Sequence, residues 1–225
     1  MELLSLPVCG IVISIICYAV GIQVRKLLPS PFTNPMIIAN ALIILAIVYT
    51  PLTLEQYMAG GNVITMFIVP VTVILALRIY RQRALFKANA IPIAAGCAAG
   101  SAASVFSVLF LCRVFGVDQA VTVSLLPKSV TTAIALELVQ KNGGIPGLAA
   151  SAVIVTGVFS AAFSPFFIKF FRLRDPIAAG VALGASGHAI GTAAALELGE
   201  IQGAMGGIAI SLMGIMTSLI FLFLF

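Results

Sequence analysis

Long apolar runs alternate with short polar ones along almost the whole chain. Six runs approach the roughly 20 helical residues needed to cross a bilayer, at 6–24, 36–54, 58–77, 88–112, 145–168 and 204–225. Each predicts a spanning helix, because only internally hydrogen-bonded backbone is tolerated against lipid. The first run has no basic stretch before it and no convincing cleavage site, so it is expected to stay as an anchor. Two further segments, 119–140 and 176–199, are apolar at their ends and polar at their centres. The centres read Leu126-Pro127-Lys128-Ser129-Val130-Thr131-Thr132 and Gly184-Ala185-Ser186-Gly187-His188-Ala189-Ile190-Gly191-Thr192. Both predict helical hairpins that are either re-entrant or broken and spanning.

These two segments are related. A shift of 60 residues lays Thr132-Ala133-Ile134-Ala135-Leu136-Glu137-Leu138 on Thr192-Ala193-Ala194-Ala195-Leu196-Glu197-Leu198, identical at six of seven positions without a gap. The same register pairs Gly143 with Gly203, Gly147 with Gly207, Ser151 with Ser211, and Lys128 with His188. Internal repeats of this kind are a sign of secondary transporters. The division that follows is an N-terminal scaffold over 1–117 and a repeat core over 118–225, split into 118–175 and 176–225.

Composition enforces the membrane reading. Of 225 residues, 61% are hydrophobic and 8% charged, and the mean hydropathy is +1.20; too little charge remains for a water-facing surface. A secreted disulfide scaffold, a disordered tail and an ordinary cytosolic enzyme are excluded. The net charge of +5 sits in short knots (Arg25-Lys26, Arg78 to Lys87, Lys169 to Arg174), which mark cytoplasmic loops and not a nucleic-acid surface. The protein is therefore expected in the cell membrane, multi-pass, with the bilayer as its solvent. If both polar-centred segments crossed, seven basic residues would face four; if the first dips and returns, nine face two, and the positive-inside rule prefers the dip. A unit of one re-entrant hairpin plus one span contains a single crossing, so the second copy is inverted.

Backbone broken at membrane depth needs a cavity around it, and a midplane cavity is where such transporters bind substrate. Half-helix N-termini turned toward it favour an anion, and Lys128 adds a charge. The expected binding residues are Lys128, Ser129, Thr131, Thr132, Ser186, His188 and Thr192, with Asn34 from the start of the second span. Their hydroxyls suit a small organic anion. An aromatic cage or large apolar lining is not expected, which argues against quaternary amines and lipids. His188, the only histidine, is the candidate for proton coupling, with Glu137 and Glu197 as further candidates nearer the interface.

Other signals are structural. Cys9, Cys17, Cys97 and Cys112 lie in apolar runs without metal-ligand spacing, so no metal, cofactor or disulfide is expected. The small-residue run 95–104 predicts close helix packing within the chain or between copies, and a homo-oligomer is expected. There is no HExxH, no Walker loop and no nucleophile with an oriented base, so an enzyme is not expected.

The two polar centres, with Gly143-Gly144-Ile145-Pro146 between them, resemble the LrgB/CidB family of bacterial membrane proteins from about Asn34-Pro35 to Gly214. Two departures stand out: Ala133 where the family usually has proline, and Gly187 where a serine often precedes the histidine. The second removes one hydroxyl and puts the substrate in question. The resemblance implies either of two functions. One is an antiholin-like role in murein hydrolase control and lysis with a small LrgA/CidA-type membrane partner. The other is transport of monocarboxylates of the glycolate, glycerate or pyruvate class, as in plastid and bacterial relatives. The carrier is the leading expectation, since a lytic pore would not require two related polar hairpins.

Overall fold

The computed structural model describes residues 7–28 and 33–225, and the described residues are helical with no strand. The helices are α1 (Pro7–Leu27), α2 (Pro35–Tyr49), α3 (Leu54–Thr65), α4 (Ile68–Arg81), α5 (Arg83–Ala88), α6 (Ala90–Val114), α7 (Gln119–Leu125), α8 (Thr132–Lys141), α9 (Pro146–Phe170), α10 (Pro176–Leu198) and α11 (Glu200–Leu224). They fall into two compact units, Met1–Leu75 and Ala76–Phe225. The chain is thus an all-α integral membrane protein.

In the N-terminal unit, α1 lies backbone-to-backbone against α3. A Cβ on Gly10 would stand 2.5 Å from the Tyr57 carbonyl oxygen and 3.1 Å from Gly60 Cα, and the Ser14 and Tyr57 hydroxyls bond at 3.0 Å. Two of the expected spans are cut short here. The run 36–54 becomes the 15-residue α2, ending at Thr50, which is extended because the residue before Pro51 disfavours the helical region. The run 58–77 is divided. α3 starts early, at a capping box of Thr53 and Gln56, and the chain breaks at Met66 and Phe67 before α4. Pro70 has no N–H for the Met66 carbonyl, so a continuous helix would lose a bond and gain a clash there. All four cysteines are free.

In the C-terminal unit the first polar-centred segment reverses. α7 runs back along α6: Val123 and Leu126 pack with Val105, Val108 and Cys112, and Lys128 and Ser129 reach Ser104. α8 then returns. The Ile145 N–H donates to Ser124 Oγ at 2.7 Å, although 21 residues of straight helix would separate the two by about 31 Å. The hairpin therefore enters and leaves by one face, with Lys128 near its tip.

The second segment is assigned as one 23-residue helix, and by length and apolar content alone it is one of five helices able to cross among the described residues. Its neighbours show otherwise. Gly180 lies on the backbone of Gln202 and Gly184 on that of Gly206, so the first half runs parallel to α11. Thr192 also lies at Gly206, and Leu196 lies at Gly203, so the second half runs antiparallel to α11. Gly180 and Leu196 would be about 24 Å apart along a straight helix, yet they touch successive residues of α11. The reversal is at His188, whose φ of 43° and ψ of −130° are non-helical. α10 is a re-entrant hairpin, and among the described residues four other helices are long and apolar enough to cross a membrane.

Each hairpin is followed by one crossing, α9 or α11. α9 starts beside the first hairpin and ends where α10 begins; α11 starts there and runs back, so the two halves are inverted. The repeated serines keep the same local bond, Ser151 Oγ to the Gly147 carbonyl at 2.9 Å and Ser211 Oγ to the Gly207 carbonyl at 3.4 Å.

Candidate functional site

Between the hairpins lies a cavity of about 930 Å³, walled by the N-terminal half of α6, the first hairpin tip, the C-terminal half of α9 and the first half of α10. Lys128 marks its inner end, half-buried. Its ammonium donates to Ser104 Oγ and Ser129 Oγ, both at 3.3 Å, and those hydroxyls bond to each other at 2.9 Å. Ser160 and Ser186 form a second hydroxyl pair on the wall, at 2.8 Å. Among the described residues Lys128 has no carboxylate partner. A charge at membrane depth with hydroxyl partners alone leaves its field available to an anion that enters.

The local chain explains this placement. Pro127 cannot donate a backbone bond, so α7 ends at Leu125 and residues 127–130 form a turn closed by Val130 N–H on the Pro127 carbonyl. α8 begins only at Thr132, capped at Thr131 without a side-chain bond. The half-helix thus starts at Thr132, and Lys128 sits in the turn before it.

The second tip is built differently. His188 is buried, and its Nε2 lies 2.8 Å from the Val153 carbonyl oxygen of α9. Its ring fills the place where a side chain at Gly157 would stand, 2.6 Å from a Cβ built there. The Val153 side chain packs with Val130 and Ala135 of the first hairpin, so one residue of α9 touches both hairpins. At Gly187 an added Cβ would stand 2.6 Å from Ser160 Oγ. The hydroxyl that a serine at 187 would bring is replaced there by Ser160 from α9.

Of the expected binding residues, Lys128, Ser129 and Ser186 line the cavity. Thr131, Thr132, His188 and Thr192 are not among the residues lining it, and Thr192 Oγ1 is buried without a partner. Asn34 caps α2, accepting from the Met36 N–H at 2.9 Å. Glu137 is exposed and paired with Lys141 at 2.7 Å; Glu197 is exposed at the far end of its hairpin.

Sequence reasoning missed five polar residues of the wall, Asn89, Ser104, Thr156, Ser160 and Asp175. Ser104 was legible as the end of the small-residue run, whose four-residue spacing sets Gly96, Gly100 and Ser104 on the cavity. The opposite edge of the run packs within the chain, where Cys97 and Ser101 are buried and Ser101 donates to Met213 Sδ at 3.1 Å. The expected lack of apolar lining is overturned: Phe159, Phe167, Ile168, Phe171, Ile177 and Val181 all face the cavity. Their wide separation along α9 and α10 conceals the patch in sequence.

The cavity has a side. Its lining continues to Asn89, Phe171 and Asp175, at the end where Arg81, Arg83, Lys87, Lys169, Arg172 and Arg174 gather, against Arg113 and Lys141 at the other end. The positive-inside rule makes the basic end cytoplasmic. Toward the other face the path is filled by Val105, Val108, Val123, Leu126 and Phe221.

Two inverted hairpin-plus-span units beside a cavity define a multi-pass membrane protein of the inverted-repeat kind. The chain belongs to the LrgB-like family, which matches residues 14–225. It is similar to the proteins named antiholin-like protein LrgB of Bacillus cereus (strain B4264) and Bacillus anthracis (strain A0248). Each is 38% identical over 212 residues, covering 94% of this chain and 92% of the relative. No solved structure matches.

Proposed function

We propose that the protein is a carrier of small monocarboxylates of the glycolate, glycerate or pyruvate class, and not an enzyme. The observation that carries the reading is Lys128, a half-buried ammonium in a midplane turn with hydroxyl partners only. A carboxylate would take the place beside Lys128, Ser104 and Ser129, and the Ser160–Ser186 pair suits a hydroxyl or keto oxygen next to it. Exchange of the open face requires the hairpins and α9 to repack, and His188 on the Val153 carbonyl is the contact that changes. Proton coupling belongs to this reading with His188 as its carrier; Glu137 and Glu197 lie nearer the hairpin ends.

The test is uptake of labelled glycolate and pyruvate by proteoliposomes holding this chain alone, under imposed pH gradients. Saturable uptake lost with Lys128→Ala supports the carrier, and a gradient response lost with His188→Ala adds coupling. No uptake by folded protein moves the reading to the second one. That reading is an antiholin-like membrane module acting with a small LrgA/CidA-type partner, and it draws support from the names of the Bacillus relatives. Such a module tolerates Lys128→Ala.

A further inference from the structure

A two- or three-carbon acid fills only a small part of this cavity. Its volume of about 930 Å³ lies at the upper end of the range, about 300–1,000 Å³, that encloses drug-sized ligands. Polarity is unevenly distributed over the wall. The hydroxyls and the ammonium gather at the inner end, on Ser104, Lys128, Ser129, Thr156, Ser160 and Ser186, and the route from there to the basic face is lined by Phe159, Phe167, Ile177 and Val181, with Asn89 and Asp175 at its mouth. Phe159 stacks on Phe163 with ring centroids 4.3 Å apart and is about half exposed at 52%. It offers a ring face to a ligand without belonging to the core.

We infer that the inward-open cavity binds monocarboxylates carrying an aryl or branched apolar tail, with the carboxylate at Lys128 and the tail along the α9–α10 wall toward the cytoplasm. Charge decides the orientation: the inner end holds the one ammonium that lines the cavity, among the described residues, and the apolar wall gives the tail a place only on the cytoplasmic side of it. Burying a ring or a branched chain there removes apolar area from water. Tail and carboxylate are recognised by separate groups, so such acids compete with the small ones and bind more tightly. The inference rests on the anion-site reading of Lys128.

The experiment is calorimetric binding of pyruvate, 4-methyl-2-oxopentanoate and phenylpyruvate to the purified full chain, repeated with Lys128→Gln and with Phe159→Ala/Phe167→Ala. The expected order is phenylpyruvate and 4-methyl-2-oxopentanoate above pyruvate, the former by about tenfold or more. The phenylalanine variant loses most of that advantage and keeps its pyruvate affinity; Lys128→Gln loses all three ligands. Pyruvate binding that depends on Lys128, with no advantage for the tailed acids, overturns this inference and leaves the anion site standing. An advantage that survives in Lys128→Gln also overturns it, since the tail would then bind greasy surface without the site. Absence of binding by all three acids to folded protein removes the anion-site reading and this inference together.

Discussion

The two hairpins share a sequence register of 60 residues and differ at their tips. In the first, Lys128 occupies a turn on the wall of an open cavity, with hydroxyl partners only. In the second, the equivalent His188 is buried against Gly157 and bonded to the Val153 carbonyl. The hairpins share their reversal, their depth and the helix that follows, so the repeat specifies the framework. What it leaves free is which tip holds charge and which holds the helices together. Val153 joins them, with its carbonyl on one tip and its side chain on the other.

Substitutions that break this contrast fall in a definite order. Lys128→Gln removes the only charge of the first tip and is expected to lower monocarboxylate affinity by about a hundredfold, with Lys128→Arg retaining part of it; equilibrium binding checks both. Gly157→Val takes the space of the His188 ring. It is expected to destabilise the fold by about 1–3 kcal/mol, seen as a lower thermal midpoint. Ser160→Ala leaves Ser186 with only the Leu183 carbonyl at 3.5 Å and should weaken binding by about three- to tenfold, a hydrogen bond being worth roughly 0.5–1.5 kcal/mol. Thr192→Val replaces a buried hydroxyl that has no partner with a methyl group. Stability should stay level or rise and uptake should persist; a large loss of uptake would place Thr192 in the site after all. Glu137→Gln should change neither binding nor melting, since its carboxylate and Lys141 are both solvent-exposed.

Hairpin geometry was legible in the sequence wherever local chemistry decided it. Pro127 announced the first break, and the 60-residue register carried that break to His188, at a place where composition alone resembles an ordinary span. The basic residues located the cytoplasmic face by the same arithmetic that preferred a dip. Single-residue effects escaped: the division of 58–77 near Pro70 and the stop before Pro51 lie within runs whose hydropathy stays high. The site was legible in its charge and not in its walls. Lys128, Ser129 and Ser186 came from the polar centres, but Ser160, Thr156 and Phe159 belong to α9, an apolar span with no break to mark it. Ser104 stood in a run whose small residues serve packing on one edge and the cavity on the other.

The central claim is that a cavity open to the cytoplasm brings an anion to Lys128, and alkylation of a thiol at its inner end tests it directly. Ser104→Cys, in a chain otherwise free of cysteine, would be treated with an impermeant maleimide in inside-out and right-side-out vesicles, with and without pyruvate. The account predicts rapid labelling from the cytoplasmic face only, slowed by pyruvate and no longer slowed once Lys128 is replaced by glutamine. Labelling from the opposite face, or protection that persists without Lys128, would contradict it.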